Sequence, residues 1–241
     1  MMRIEREIIL SVLKLTQKGI IQKELVAKDA RTAVDVVDEV LRKLHEKSLI
    51  AFKEGNLTTA PSQRLLLAIE AIKQGADPQR TCRFLEWKEF ENMAATAFEA
   101  NGYAVKKNFH FKAKVTDKRW EIDLIACKQP RIVCADCKHW QRGWSRAAIE
   151  KVADAQVERT KALAESLPRF TDTFGLNKWT NATLIPMVIA LTTNALKIHN
   201  DTPIVPVLQM QNFINELPVQ TILLTHFLAI IKQENKKLTE F

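Results

Sequence analysis

Three consecutive segments between residues 103 and 140 alternate polar and apolar side chains, and this alternation most constrains the fold. They read YAVKKNFHFKAKV, RWEIDLIACK and RIVCADCKHW, with polar breaks at TDK and QP. A period of two is typical of β-strands, whereas the preceding segment, Leu85 to Ala100, has apolar residues at helical spacing and stops at Asn101-Gly102. The sequence therefore predicts a helix that leads into a three-stranded meander.

The segments that follow predict the remainder of a mixed structure. Residues 148–167 have the pattern of an amphipathic helix, and residues 183–195 read as a fully buried strand because they are apolar without alternation. Residues 203–217 predict a short edge strand, limited by its prolines, and then a helix. We expect a last apolar helix over residues 221–233 and a frayed tail over 234–241.

The first 60 residues have a different pattern. Helical periodicity covers residues 4–15, 21–30 and 32–47, with Thr32 as a possible N-cap of the third helix, and a hairpin signal lies at Glu54-Gly55-Asn56. Three helices followed by a hairpin look like a winged helix, a DNA-binding unit that also serves as a dimerisation or protein-docking module. Residues 1–60 hold 11 Lys or Arg against 9 Asp or Glu, so both roles stay open.

Length and composition favour a globular chain of one large or two small domains. Its 241 residues are 46% hydrophobic, and residues 61–75 form a helical stretch that GADPQR ends. We therefore divide the chain into a winged-helix-like domain (1–60), a helical connector (61–82) and a larger domain (83–241). No apolar run reaches the roughly 20 residues that cross a bilayer, and the start lacks the order of a signal peptide, so we expect a cytoplasmic protein without a membrane partner.

The excess of positive charge is local. The formal net charge is +8, and the segment from Lys106 to Lys151 alone holds 12 Lys or Arg against 5 Asp or Glu. A basic region of this kind favours a polyanionic partner such as DNA. A solvated surface is the alternative explanation, and it would also have to explain the acids that cluster in the same segment.

The stretch IVCADCKHW, residues 132–140, has two competing interpretations. Cys134 and Cys137 form a C-x-x-C that suggests zinc or thiol redox chemistry, whereas Asp136 and Lys138 form a D-x-K that suggests a metal-dependent nuclease. In a strand, residues two apart share a face and residues three apart do not. Asp136 and Lys138 therefore point the same way. The two cysteines point to opposite faces, so we interpret them as thiols packed in and beside the sheet.

The preceding strand supports the carboxylate interpretation. Glu121 and Asp123 share a face there, and the short connection through KQP lays this strand against the one that carries Asp136. Two acids that approach closely repel each other unless a cation lies between them. Oxygen ligands of this kind suit Mg²⁺ or Mn²⁺, and Lys138 can orient or deprotonate a water that attacks a phosphodiester.

The ordered set of motifs resembles the PD-(D/E)XK nuclease superfamily. It runs from Phe90-Glu91 through NGY, WEIDLIA and IVCADCKHW to a helix with Gln156, over about residues 85–165. The resemblance is closest to the Mrr-like restriction endonucleases and the archaeal Holliday-junction-resolvase-like enzymes. It implies an α/β (α+β) fold, a restriction-endonuclease-like mixed central sheet flanked by helices, here preceded by the helical winged-helix-like N-terminal domain.

The resemblance also implies roles for individual residues. The implied metal ligands are Glu91, Asp123, Asp136 and the Cys137 carbonyl; Lys138 is the implied catalytic lysine, Gln156 shapes the active site, and Glu121 matches an extra acid of some members. Asp136 stands where the superfamily usually has Glu, and Asp123 has no Pro before it. These departures leave the metal geometry open.

The implied function is a Mg²⁺-dependent DNA endonuclease, for which Mn²⁺ can substitute, acting on double-stranded or branched DNA. The DNA contacts that we predict just beyond the catalytic strand are Arg142, Trp144, Arg146 and, on the next helix, Lys151. A homodimer follows only by analogy. Two alternatives are an inactive DNA-binding or regulatory protein of the same fold, and a zinc or redox protein that uses Cys134 and Cys137.

Overall fold

The structure is a computed structural model, which describes residues 2–113, 118–138, 145–190 and 197–232. Its α-helices are α1 (Met2–Leu15), α2 (Lys23–Ala30), α3 (Val34–Glu46), α4 (Pro61–Lys73), α5 (Pro78–Cys82), α6 (Trp87–Ala100), α7 (Arg146–Ser166) and α8 (Met210–Gln220). The strands are β1 (Ile21–Gln22), β2 (Ala51–Lys53), β3 (Asn56–Thr58), β4 (Ala104–Lys112), β5 (Arg119–Lys128), β6 (Arg131–Lys138), β7 (Asn181–Ala190), β8 (Ile198–His199), β9 (Thr202–Pro206) and β10 (Phe227–Ile230). None of the helices described is both long and apolar enough to cross a membrane.

The chain divides into two compact units, residues 1–93 and 94–241, and the boundary falls within α6. The segment predicted as a connector, residues 61–82, forms α4 and α5 within the first unit. How the chain divides into independently folding domains stays a prediction.

The first unit contains α1 to α5 and a three-stranded sheet of order β1-β3-β2. The expected helices and hairpin are present, and the β2–β3 turn has positive φ at Glu54 and Gly55, the backbone geometry of a tight hairpin turn. Apolar side chains at helical spacing, including Ile8, Leu41 and Leu44, are buried between the helices. DNA binding by this unit stays a prediction.

Thr32 does not cap the third helix, and this prediction was wrong. The helix begins at Val34, its N-cap is the extended residue Ala33, and no side chain bonds to the first turn. The Thr32 hydroxyl donates instead to the Ala30 carbonyl at 3.1 Å, at the end of α2. The preceding helix therefore competes for the hydroxyl that the sequence pattern assigned to α3.

The second unit is built on a seven-stranded mixed sheet. Its order is β4-β5-β6-β7-β9-β8, with β10 paired to β7; the β6–β7 and β7–β9 pairs are parallel and the other pairs are antiparallel. Apolar residues of β5, β6 and β7 pack with Leu163 and Leu167 in the main core. The predicted mixed sheet flanked by helices is confirmed.

Two predictions about the C-terminal elements were wrong. Residues 221–223 form a 3₁₀ turn and Phe227–Ile230 forms β10, where we expected one helix. This short strand satisfies the backbone groups of Asn181–Leu184, at the end of β7 that β9 does not reach, so pairing with β7 overrides the apolar run. The predicted edge strand, β9, lies inside the sheet, and the two-residue β8 takes the edge.

Candidate active site

The β5–β6 hairpin brings the two candidate acids to facing positions. The antiparallel register pairs Leu124 with Ala135, and the next step along this register aligns Asp123 with Asp136. The backbone amide of Cys137 donates to Asp123 Oδ2 at 2.8 Å, which holds the Asp123 carboxylate against β6. The strand that carries the D-x-K sequence and the strand before it therefore place their acids at the same end of the hairpin.

One face of β6 passes from the core to the surface over five residues. Cys134 is fully buried in the main core, Asp136 is 2% exposed, and Lys138 is partly exposed at the end of the strand. The alternation of a strand puts these three side chains on one face and Cys137 on the other. The D-x-K sequence thus lies where the buried sheet meets solvent.

Asp136 is held between two cationic side chains. Lys138 Nζ lies 3.0 Å from Oδ1 and 2.9 Å from Oδ2, and Arg159 Nη1 donates to Oδ1 at 2.6 Å. Oδ2 nevertheless accepts no hydrogen bond of good geometry from any residue described, so one oxygen of this buried carboxylate keeps acceptor capacity. Burying a carboxylate is costly unless it is paired, and these two cations supply the pairing.

Gln156 links Arg159, which contacts the Asp136 carboxylate, to the backbone of β6. Its Nε2 donates to the Cys134 carbonyl at 2.8 Å, and its Oε1 accepts from Arg159 Nη1 at 3.2 Å. The side chain is fully buried, and Thr160 Oγ1 donates to the Gln156 carbonyl one turn further along α7. Gln156 therefore fixes the distance between α7 and β6 and positions the guanidinium of Arg159.

Arg159 is the residue of this cluster that the sequence analysis missed. It lies three residues after Gln156 on α7, and residues at this spacing share a helix face. That spacing is the signal that was available in the sequence. It was insufficient alone, because an arginine on a charged helix is usually solvated, and only the packing of α7 on β6 shows which acid it meets.

Glu91 lies on α6 in the first unit. It is 7% exposed and accepts a hydrogen bond from Trp87 Nε1, one helical turn earlier. Glutamates are seldom this deeply buried, but neither fact identifies a ligand. Its role as a metal ligand stays a prediction.

The remaining candidates lie at the surface or outside the described residues. Glu121 is exposed and has His110 Nε2 3.7 Å away on β4, Arg146 is exposed and donates to Glu150 at 2.7 Å, and Lys151 is exposed on α7. Arg142 and Trp144 fall in the segment 139–144, outside the described residues. No direct role of these five residues follows from the geometry.

The donor set fits a magnesium-type ion in chemistry, although not as a complete cage. Among the residues described, no group of three or more His, Cys, Asp or Glu side chains is placed to hold a metal. Mg²⁺ usually keeps several waters and takes one or two carboxylates together with substrate phosphate oxygens. Asp136, with its buried oxygen lacking a proper hydrogen bond, and Asp123 beside it meet that smaller requirement.

The thiols are poorly suited to zinc or redox chemistry. Cys127, Cys134 and Cys137 are free and buried. Burial raises the pKa of Cys127 to about 12 and also raises the pKa of Cys134 well above its usual range. Because the thiolate is the form that binds metal and attacks disulfides, these environments disfavour both reactions.

The raised pKa values predict a stability loss in alkali. The folded state keeps both protons while the unfolded thiols ionise near pH 9, so this contribution is complete below about pH 9 and is lost as pH rises towards 12. We expect the Cys127→Ala/Cys134→Ala variant to lose free energy of unfolding more slowly than wild type above pH 9, by up to about 1.4 kcal/mol per pH unit for each thiol. Urea unfolding at pH 7.5, 9 and 10 measures this, and parallel slopes for the two proteins would contradict it.

Comparison with known proteins agrees with the chemistry of this cluster. Residues 86–181, less than half of the chain, match the family model described as NERD, nuclease-related domain, a family within the PD-(D/E)XK-like nuclease superfamily. This range includes Glu91, Asp123, Asp136, Lys138 and Gln156.

Two other proteins are similar to the chain. A protein of Archaeoglobus fulgidus, described as uncharacterized, is 29% identical over 133 residues, which cover 55% of this chain and 92% of that protein. A chain in the crystal structure of protein VC1899 from Vibrio cholerae is 12% identical with a TM-score of 0.37; the match covers 92% of this chain and 52% of that one. This chain thus spans about half the length of that structure. The match of residues 86–181 to the nuclease-related domain is what supports the superfamily expected from the sequence, and it does so at that level only.

Proposed function

We propose that the second unit is a metal-dependent DNA endonuclease that hydrolyses phosphodiester bonds. The observation that carries this proposal is the facing pair Asp123 and Asp136, with Lys138 on the same solvent-facing strand end, inside a segment that matches a nuclease-related domain. Whether it belongs to the Mrr-like or the Holliday-junction-resolvase-like branch is part of the proposal. So are a cytoplasmic location and a homodimer.

Each polar residue of the cluster has a distinct role in this proposal. Asp136 and Asp123 would hold a Mg²⁺ or Mn²⁺ ion, which when bound supplies charge neutralisation at the scissile phosphate and lowers the pKa of a nearby water. Lys138 Nζ, held within 3.0 Å of Asp136, orients the attacking water and offsets the negative charge that develops on the phosphate. Gln156 keeps β6 and α7 at a constant spacing.

The DNA path in this proposal follows the start of α7. Arg146 and Lys151 are exposed there and suit contacts with phosphate oxygens, which position a duplex without reading its sequence. Arg142 and Trp144 precede them in the chain and extend the same basic segment. The predicted winged-helix-like unit is a second candidate contact with DNA or with another protein.

One specific observation favours an inactive DNA-binding protein as the second candidate. Arg159 already neutralises Asp136 at 2.6 Å, and a permanent ion pair there would leave the site unable to accept a metal. The two functions differ in one measurable property, which is cleavage that depends on a divalent cation.

Cleavage assays with the full chain test the proposal. We expect Mg²⁺ or Mn²⁺ to support cutting of at least one of four substrates (supercoiled plasmid, linear duplex, four-way junction or methylated duplex), and EDTA to abolish it. Retention of all four substrates intact with both metals, or cutting that persists in EDTA, would refute the proposal.

A matched pair of variants on β5 guards against a contaminating nuclease. Asp123→Asn removes a proposed metal ligand, so we expect its cleavage rate to fall about 100-fold or more. Glu121→Gln removes an exposed acid of the same strand, which lies 3.7 Å from His110 Nε2, and we expect a change below about threefold. Equal rates for the two variants would show that Asp123 has no special role.

A further inference from the structure

Among the residues described, the charged side chains of the Asp136 cluster are two acids and two cations, so their formal charges balance. Asp123 and Asp136 contribute two negative charges, and Lys138 and Arg159 contribute two positive ones. A divalent cation added to this arrangement would raise the local charge by two units beside two side chains that are already cationic. Cation binding therefore needs either a cation to leave or an anion to arrive.

Arg159 is the cation with room to leave. Its side chain is 26% exposed, it projects from a helix surface, and its contacts at Nη1 are with Asp136 Oδ1 and Gln156 Oε1. Lys138 is equally exposed, at 24%, but it lies on the same strand two residues from Asp136 and contacts both carboxylate oxygens. Rotation about the long arginine side chain can break its contact without moving α7.

We propose that Arg159 is a positioning residue that neutralises Asp136 in the cation-free site and pairs with a DNA phosphate when a divalent cation takes that carboxylate. This inference rests on the proposed function. The planar guanidinium suits both partners, because it forms paired hydrogen bonds with carboxylates and with phosphates alike. Arg159 is then a competitor of the cation in the free protein and a DNA contact in the complex.

The consequence is coupling between cation and DNA. Without DNA, the cation must displace Arg159 and then tolerate its charge nearby; with DNA, a phosphate neutralises the displaced guanidinium. Each ligand therefore raises the affinity of the other by the same factor, as linkage requires. Such coupling makes the cation-bound arrangement more populated when DNA is bound than when it is absent.

Titration calorimetry with Mn²⁺ alone tests the exchange without relying on catalysis. We expect Arg159→Gln to bind Mn²⁺ about tenfold more tightly than wild type in the absence of DNA, since a competing ion pair is lost. Arg159→Lys keeps the competing charge and should stay within about threefold of wild type. Lys161→Gln removes one exposed charge from another side of α7 and is the matched control, with unchanged affinity.

A second measurement addresses the DNA contact. The measurement uses Mn²⁺ and a duplex whose phosphodiesters are replaced by uncleavable analogues. Arg159→Gln should bind this duplex more weakly than wild type does. The slope of log DNA affinity against log salt concentration should be smaller in magnitude by about one. The ratio of Mn²⁺ affinities with and without this duplex should fall about tenfold relative to wild type.

These outcomes separate the inference from the proposed function. Tighter Mn²⁺ binding and weaker coupling in Arg159→Gln support the inference, even if every substrate in the cleavage assays stays intact. Equal or weaker Mn²⁺ affinity in Arg159→Gln, or no Mn²⁺ binding by either protein, overturns it, even if the chain cleaves DNA.

Discussion

The Asp136→Asn variant is expected to cleave DNA about 1000-fold more slowly than the wild-type chain at saturating Mg²⁺. Asparagine has the same shape, but it removes the charge that two cations surround and that the proposed metal ion requires. The side chain is almost completely buried, so the substitution acts inside the cluster and not at the surface. Single-turnover cleavage measures the rate, and circular dichroism confirms that the variant is folded.

Two comparisons make this result specific. Asp172→Asn changes an exposed acid of the same unit and should leave the rate within about twofold of wild type. Lys138→Met should also slow cleavage, by about 100-fold, but it keeps both carboxylates and removes a competing cation, so it should bind Mn²⁺ at least as tightly as wild type, whereas Asp136→Asn should lose that binding. Cleavage by folded Asp136→Asn within threefold of wild type would remove Asp136 from the mechanism.

The Arg64→Met variant is expected to destabilise the first unit by about 3–5 kcal/mol, the largest stability effect that we predict. Arg64 and Glu89 are each 5% exposed, and Arg64 Nε donates to Glu89 Oε1 at 2.6 Å. The guanidinium also donates to the Leu13 carbonyl at 2.7 Å, to Thr16 Oγ1 at 2.8 Å and to the Phe84 carbonyl. Methionine fills much of the same space but leaves a buried carboxylate and these acceptors without their donor.

Urea unfolding of the full chain measures the loss, and hydrogen exchange of the α4 amides locates it in the first unit. Because the unpaired Glu89 charge accounts for part of the loss, Arg64→Met/Glu89→Gln should recover some of it; the Gln still accepts the hydrogen bond that Glu86 N makes to Glu89 Oε2. Arg42→Met breaks an exposed bridge to Asp38 and is the control, at below about 1 kcal/mol. If Arg64→Met loses no more free energy of unfolding than Arg42→Met, the buried pair stabilises the chain no more than the exposed one.

Elements whose pattern follows local geometry were predictable. The alternation over residues 103–140 correctly indicated β4, β5 and β6. Strand parity alone predicted that Asp136 and Lys138 share one face. The mixed sheet was implied by the resemblance to the nuclease superfamily, and the parallel β6–β7 pair agrees with the helix between these strands, since a parallel pair needs a long crossover. These inferences depend on a few neighbouring residues, so the sequence contains them.

Elements that depend on distant partners were not predictable. Residues 227–230 form a strand because β7 offers them unpaired backbone groups, although their apolar run equally suits a helix. Thr32 failed as a cap because a carbonyl of the preceding helix took its hydroxyl. In both cases the deciding partner is another part of the chain that periodicity does not reveal.

The candidate site divides in the same way. Residue types and strand parity grouped Asp123, Asp136 and Lys138 as candidates, because parity is set by the backbone, and Gln156 was added by the resemblance to the nuclease superfamily. Only the tertiary structure revealed Arg159 against Asp136, since which helix face packs on which strand end depends on contacts between segments far apart in the chain. The sequence thus indicated the acids and the lysine of a nuclease-like site, and the fold decided that Arg159 is the second cation that contacts Asp136.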